Sequence, residues 1–485
     1  MNLLSAGAVL AVGAGLAVGL VKPAPPVPVR PLASPAARPY NVLFIASDDL
    51  NNDMHCYGDP LVKTPNLDKL MSRGVRFDKA YNQYPFCGPS RASILTGYRP
   101  DKTGVASLES NFRDQLPQAV TLPQLFKNHG YFSGRAGKIF HYGVPDDIGT
   151  DGQDDTISWN QRVNPRGRDK TEEAKIINLT PNRPLGSSLS YYAALGRDEE
   201  QTDGLVATAV INMMRAHKSQ PFFLAAGFFR PHCPYVAPKK YFDLYPLDKV
   251  QLPEERADDW ARKPEAAKWT KPLNWDLPPE KRREALRAYY ASITFMDAQV
   301  GRLLTALDSL GLRDNTIIVF WSDHGYNVGQ HGQWMKQSLF EHAARTPLLI
   351  AVPGLTKGVP SARPVELLDI YPTLAQLCQL PAPADLQGAS LVPLLQKPAA
   401  PRARAAYTQV LRGPNKLDPT AKKILGRSVR TERYRYTEWN EGAEGTELYD
   451  YQTDPHEFNN LARDPAQAAR VHELAALLRQ SYGQP

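Results

Sequence analysis

A chain of 485 residues with 42% hydrophobic and 22% charged side chains has the composition of a folded globular protein large enough for one big domain and a smaller one. That excludes a disordered, collagenous or polytopic membrane chain. Its 57 basic and 50 acidic residues leave a formal charge of +7, but no Lys/Arg run or aromatic-interleaved basic stripe accompanies the excess, which therefore suits an anionic substrate and not nucleic acid.

Residues Met1 to Leu20 carry no charged side chain and read as an export signal over 1–21, cleaved or kept as a membrane anchor. Residues 22–39 hold seven prolines and no hydrophobic periodicity, the pattern of an extended spacer. Asn41 to Ser47 (NVLFIAS) is a continuous apolar run, the mark of a strand buried on both faces of a parallel sheet, and it stops at Asp48 and Asp49. Thr64 and Pro65 then open a helix with Leu67, Leu70 and Met71 on one face and Gly74 at its end. The rhythm returns as a helix over Thr121 to Gly130 and a strand over Tyr131 to Ala136, followed by Lys138 and His141. A further strand, Phe222 to Phe229, ends at Arg230, Pro231 and His232.

The longest helical pattern runs from about Arg283 to Leu310, with Tyr289, Ile293, Met296, Val300, Leu303, Leu304 and Leu307 at helical spacing. It leads into a buried strand, Thr316 to Trp321, that ends in Ser322, Asp323 and His324. Strands alternating with helices predict an α/β fold with a large, mostly parallel central sheet flanked by helices. In such sheets binding residues gather beyond the carboxyl ends of the strands. Asp146 to Glu200 lacks periodicity and reads as long loops over the mouth of that site. After about residue 400 short β-like runs (Ser428 to Val429, Tyr434 to Glu438, Glu447 to Tyr451) and an amphipathic helix over Ala466 to Leu478 predict a small α+β domain. The expected division is thus a catalytic domain over 40–399 and a smaller one over 400–485.

Asp48, Asp49 and Asp323 at the ends of two central strands would repel one another unless a cation neutralised them. Their hard oxygen donors suit calcium or magnesium. Cys87 stands in Cys87-Gly88-Pro89-Ser90-Arg91, where Pro89 fits the first turn of a helix. The thiol is therefore expected at a helix N-terminus, with free N–H groups and the Arg91 fork favouring an anion. The four cysteines, Cys56, Cys87, Cys233 and Cys378, make no disulfide framework and have no zinc-site spacing. His55, His331 and His342 lie near these motifs without an assignable task.

C-x-P-S-R followed by A-S-I-L-T-G, with N-V-L-F-I-A-S-D-D-L before it and S-D-H-G after it, resembles the signature of the type I sulfatases, formylglycine-dependent members of the alkaline phosphatase-like superfamily. Within that family the likeness is greatest to the iduronate 2-sulfatases. It is carried by C-Y-G-D (Cys56 to Asp59), P-N-L-D-K-L (Pro65 to Leu70), G-K-I-F-H (Gly137 to His141), R-P-H-x-P (Arg230 to Pro234) and the run from Ser322 to Lys336. It extends over roughly Asn41 to Gly354, and Leu448 to Leu461 resembles the family's C-terminal domain.

The resemblance implies that a formylglycine-generating enzyme converts Cys87 to Cα-formylglycine. It implies one calcium ion held by Asp48, Asp49, Asp323, His324 and the modified Cys87, with His324 standing where many members place asparagine. Arg91 would steady the aldehyde hydrate, Lys138 and Lys336 would bind sulfate oxygens, and His141 and His232 would move protons. The implied reaction is attack of one hydrate hydroxyl on sulfur, protonation of the leaving sugar oxygen by His232 with Lys336, and release of sulfate as His141 takes the proton of the second hydroxyl. The implied substrate is the 2-O-sulfate of a uronic acid in glycosaminoglycan fragments. Other sulfated sugars, choline sulfate, phosphate or phosphonate monoesters, and a non-catalytic glycan-binding role stand as alternatives.

Overall fold

The computed structural model describes residues 39–414 and 420–482; the expected export segment and spacer lie outside them. Nine strands form the central sheet: β1 (Asn41–Asp48), β2 (Val75–Tyr81), β3 (Phe132–Gly137), β4 (Gln161–Val163), β5 (Phe222–Pro231), β6 (Thr316–Ser322), β7 (Arg345–Thr346), β8 (Leu348–Ala351) and β9 (Ser361–Glu366). Their order is β7-β2-β8-β6-β1-β5-β3-β4, with β9 paired to β2. From β4 to β6 every pairing is parallel, whereas β8 runs antiparallel to both β6 and β2. The sheet is mixed and mostly parallel, as the α/β pattern predicts.

All eight residues of β1 are buried because both faces of the sheet are covered. On one face Leu43, Ile45, Leu224 and Ala226 join a core with Val206, Val210 and Met214 of α4 (Thr202–His217) and with Ile293, Met296 and Val300 of α5 (Pro279–Ser309). The alternate side chains Phe44, Phe223 and Trp321 form an aromatic cluster on the other face, closed by Phe126 of α3 (Leu122–Asn128). Among the helices ahead of α3 are α1 (Pro65–Met71) and α2 (Cys87–Thr96), the latter buried at every residue. Helix α5 starts several residues before the predicted Arg283, since Pro279 supplies a first turn that needs no apolar side chain.

Asp146 to Glu200 is more structured than the sequence suggests. It contributes the edge strand β4, a helical turn at Arg168–Thr171, and two short strands, Ile177–Asn178 and Ser190–Ala194, that join Tyr235–Pro238 in a three-stranded sheet. Strands of two to five residues are too short to show a period, and only their distant partners stabilise them. Toward the C-terminus, β10 (Ala406–Arg412), β11 (Ile424–Arg430), β12 (Tyr434–Trp439) and β13 (Thr446–Asp450) make an antiparallel sheet. Strand β10 had no sequence signal. Helix α6 (Ala468–Tyr482) lays Leu474, Ala475 and Leu478 on Val429, Tyr436 and Leu448, and the opposite sheet face packs Val410, Trp439 and Tyr449 on Tyr84, Leu339 and Phe340. Residues from Pro39 onward form one compact unit. Among the described residues no helix is long and apolar enough to cross a membrane.

Candidate active site

The carboxyl ends of β1, β3, β5 and β6 converge on one buried cup. The register between β1 and β5 slips between Ala46 and Asp48, so that Asp48 faces Pro231, an irregularity that re-aims the side chain at the strand end. Asp49 follows with a left-handed backbone (φ 62°). Its carbonyl accepts a 2.8 Å hydrogen bond from Tyr289 of α5. Leu50 N–H donates to Ser322 Oγ (3.0 Å) and Asp49 N–H to Asp323 Oδ1 (3.3 Å), tying the two strand ends together. At Gly227 of β5 an added Cβ would lie 2.1 Å from the Lys138 carbonyl oxygen; only glycine lets the end of β3 approach closely enough to bring Lys138 into the cup.

Every residue expected at the site is in this cup or at its wall. Arg91 is fully buried and spends its guanidinium on four acceptors: Asp323 Oδ2 (2.8 Å), Asp48 Oδ1 (3.2 Å) and the carbonyls of Lys138 (2.8 Å) and Ile139 (3.0 Å). One face of it covers the Trp321 ring. Lys138 Nζ donates to Asp48 Oδ2 (2.7 Å), and Lys336 Nζ to Asp49 Oδ1 (2.6 Å) and Cys87 Sγ (3.2 Å). Lys336 is set between two residues with left-handed backbones, Met335 (φ 69°) and Gln337 (φ 65°). Cys87 opens α2, with its sulfur 3.3 Å from His324 Nε2 and 3.7 Å from Asp49 Oδ1.

The two histidines nearest the sulfur are oriented by carbonyls. His324 Nδ1 lies 2.8 Å from Gly325 O, and His232 Nδ1 2.5 Å from Cys233 O. Each Nδ1 therefore carries the proton, and each Nε2 turns its lone pair inward. His232 Nε2 is 3.7 Å from Asp49 Oδ2. His141 lines the wall, and its buried Nδ1 has no hydrogen-bond partner among the described residues.

Three carboxylates and three fixed cations make the electrostatics. Burial pushes Asp48 up, but Lys138, Arg91 and Lys336 outweigh it and hold the carboxyl well below its ordinary value. Asp49 is raised, chiefly by burial, with Lys336 only partly offsetting it. Burial likewise opposes the charge on Lys336, yet Asp49 and Asp48 keep it protonated far above the ordinary lysine value. The Cys87 thiol is raised by burial and by Asp48, so the unmodified sulfur stays protonated and is a poor nucleophile. His141 and His232 are both depressed by burial, aided by Lys138 for the first and Lys336 for the second, and are neutral.

Two groups of donor atoms each gather within 4.8 Å among themselves, one from Asp48, Asp49, Cys87 and His232 and the other from Cys87, Asp323 and His324. Together they include all five expected metal ligands. Asp49 Oδ2 is buried with no hydrogen-bond partner among the described residues. An orphaned carboxylate oxygen facing other hard donors fits a divalent cation.

The family model for sulfatases matches residues 40–380, and that for the C-terminal part of N-sulphoglucosamine sulphohydrolase matches residues 329–484. A sulfatase of Formosa agariphila is 35% identical over 462 residues, covering 90% of this chain and 86% of its own length. The chain belongs to the sulfatase family. As a member it is a sulfuric ester hydrolase. Iduronate 2-sulfatase of Homo sapiens is 33% identical over 507 residues, with 87% of this chain and 91% of that protein covered. The phosphonate monoester hydrolase of Agrobacterium radiobacter shares the fold with a TM-score of 0.75 at 24% identity, over 92% of this chain and 96% of that one.

Sequence reasoning missed the supports of this sulfatase site. Arg230 donates to Asp169 Oδ2 (2.8 Å) and to the His232 carbonyl (3.1 Å), while Asp203 receives the N–H groups of Phe229 (2.9 Å) and Arg230 (3.0 Å). Asp203 sits in the first turn of α4, so the only signal in the sequence was an acidic residue just inside a helix start. The histidines without a task are engaged elsewhere: His331 with Asp259 (2.9 Å) and His55 with Asp68 (2.8 Å). His342 is depressed to about 3 by burial. All four cysteines are free thiols.

Proposed function

We propose that this chain is exported and hydrolyses sulfate monoesters of sugars, foremost the 2-O-sulfate of a uronic acid in glycosaminoglycan fragments, with Cys87 oxidised to Cα-formylglycine by a formylglycine-generating enzyme. The observation that carries the reading is the position of Cys87 Sγ, 3.2 Å from Lys336 Nζ and 3.3 Å from His324 Nε2, where three buried carboxylates meet. The similarity to human iduronate 2-sulfatase supports the uronate assignment.

Asp48, Asp49, Asp323 and His324 would hold one calcium ion together with the oxidised Cys87. When bound, ion and aldehyde hydrate supply charge stabilisation at sulfuryl oxygens and an acidified hydroxyl as nucleophile. The chain's own groups do the rest. Arg91 clamps Asp48 and Asp323 in fixed orientation, so the donor set needs little reorganisation when substrate binds. Lys138 and Lys336 place ammonium groups beside Asp48 and Asp49, where they attract an anionic sulfate. Lys336 holds a proton at Nζ and is equipped to deliver it toward a departing sugar oxygen. Neutral His232 presents Nε2 to the same space and relays that proton. His141, neutral and with an unpartnered Nδ1, is equipped to accept one.

The test is mass spectrometry of the peptide containing Cys87, from protein made with a formylglycine-generating enzyme, followed by sulfate release from a panel of sulfated mono- and disaccharides. The expected result is a loss of about 18 Da at Cys87, with sulfate released from uronate 2-sulfates. An unmodified thiol in a competent host, or turnover of phosphonate or phosphate esters alone, would overturn the reading.

A further inference from the structure

Beside the catalytic cup lies a cleft of about 830 Å³ whose lining includes Arg183, Trp269, Trp275, Lys268, Lys271 and Arg412. The cleft shares a scaffold with the cup. The N–H groups of Trp269 and Thr270 donate to Gln333 Oε1 (2.7 and 2.8 Å), and Trp334 Nε1 donates to Asn274 Oδ1 (2.9 Å). Trp334 is two residues before Lys336. Arg412 donates to the carbonyl of Gln337, just after Lys336. The wall of the cleft is thus fastened on both sides of a lysine of the cup.

Most charges in the cleft are spent. Lys268 and Lys271 pair with Glu265 (2.9 and 3.0 Å), and Lys422 pairs with Glu444. Arg412 uses its guanidinium on the carbonyls of Gln337, Ala266, Ala267 and Lys268. Arg183 differs. Its Nε donates to Ser187 O (2.6 Å) and its guanidinium carbon sits over Trp275, 4.4 Å from the ring centroid. Its two terminal nitrogens have no hydrogen-bond or ion-pair partner among the described residues, although Asp276 lines the same cleft. Burial without a carboxylate partner holds its pKa below the ordinary guanidinium value.

The posture of Arg183 is built. Its N–H donates to Thr180 O (2.9 Å) and its carbonyl accepts from Asn178 Nδ2 (3.0 Å). Trp275 is aimed by three successive left-handed residues, Asn274, Trp275 and Asp276 (φ 52°, 49° and 54°), a conformation that costs free energy at each non-glycine position. With its guanidinium over Trp275 and Nε occupied, Arg183 has its two terminal nitrogens left to offer, the fork that meets a planar oxyanion with two parallel hydrogen bonds.

We propose that Arg183, braced on Trp275, is a specificity-determining residue that binds a second anionic group of the substrate, the sugar carboxylate or a second sulfate, while the first sulfate occupies the cup. The inference rests on the sulfated-sugar reading above. It assigns the acidic-group recognition that Asp146 to Glu200 did not disclose as sequence.

The experiment uses full-length, formylglycine-bearing wild type, Arg183→Ala and Arg183→Lys. Sulfate release is measured on a 2-O-sulfated iduronate disaccharide against its carboxyl-reduced counterpart, and on glucosamine 2-N,6-O-disulfate against the 6-O-monosulfate. Wild type is expected to favour the member of one pair that carries the extra anion by about 10- to 100-fold in kcat/KM. Arg183→Ala is expected to erase that ratio through KM, and Arg183→Lys to restore part of it. The pair that loses its ratio identifies the group as carboxylate or sulfate. A ratio that Arg183→Ala leaves intact, a loss shared equally by both members of each pair, or no preference in wild type overturns the assignment to Arg183. Absence of sulfate release from all four substrates would instead overturn the sulfated-sugar reading itself.

Discussion

Arg230→Met tests whether a buried ion-pair network aims His232. Arg230 is 2% exposed. Its backbone N–H donates to Asp203 and its carbonyl accepts from Ser47 Oγ (2.8 Å); methionine keeps both contacts and much of the volume. What disappears is the guanidinium, with its 2.8 Å bond to Asp169 Oδ2 and its 3.1 Å bond to the His232 carbonyl. Asp169 Oδ1 keeps two donors, Thr202 N–H (2.8 Å) and Oγ1 (2.6 Å), so only Oδ2 is stranded. Removing one partner of a buried pair costs about 3–5 kcal/mol, and the surviving donors place this case at about 3. That corresponds to a folded-to-unfolded ratio about 100-fold lower. Urea denaturation should show a lower midpoint at unchanged slope. Loss of the anchor on the His232 carbonyl should lower kcat for sulfate release by about 10- to 100-fold, as small displacements of a proton-transfer group do. A midpoint shift worth less than about 0.5 kcal/mol together with unchanged kcat would refute the anchoring argument.

Glu341→Gln should destabilise the fold by about 3 kcal/mol, because Glu341 is buried, accepts from Tyr81 (2.9 Å) and Tyr451 (3.0 Å) and pairs with Arg430 and Arg435. Burial raises its carboxyl, but Arg430 and Arg435 outweigh that and hold it well below the ordinary value; its stabilisation is therefore complete above the unfolded-state pKa and falls away as the pH drops below it. Acid titration of the melting temperature should be steeper for wild type than for Glu341→Gln, and equal slopes would contradict the assignment. Chelation of divalent metal should lower the melting temperature and abolish sulfate release, with both restored by calcium, since a ligand at 100 times its Kd adds about 2.7 kcal/mol; superimposable melting curves would remove the ion from the account. Cys87→Ala should leave stability within about 1 kcal/mol of wild type and eliminate sulfate release, and a retained rate would exclude Cys87 from the chemistry.

What could be read in the chain was what local chemistry dictates. The apolar runs of β1, β5 and β6 had to be buried on both faces, and their polar terminations had to emerge at one edge of the sheet. Pro89 placed Cys87 at a helix start, and the surrounding motif identified the family. The short strands at Ile177–Asn178 and Ser190–Ala194 escaped notice because two to five residues show no period, and the second also takes its other partner from Tyr235–Pro238. Strand β10 pairs with β11 across a long connection and likewise left no period of its own.

The sequence by itself determined the α/β class, the helix start that carries Cys87 and the strand ends that carry Asp48, Asp49 and Asp323, because burial and helix capping act over a few neighbouring residues; that the carboxylates surround Cys87 followed only from the resemblance to the sulfatases. Only the tertiary structure decided that Lys336 reaches Cys87 across 249 positions, that Asp169 braces the Arg230 that anchors His232, and that Arg183, among the described residues of the cleft, keeps its guanidinium fork free. Each of these depends on which remote part of the chain arrives beside a buried or partly buried charge, and no local pattern of residues encodes that approach.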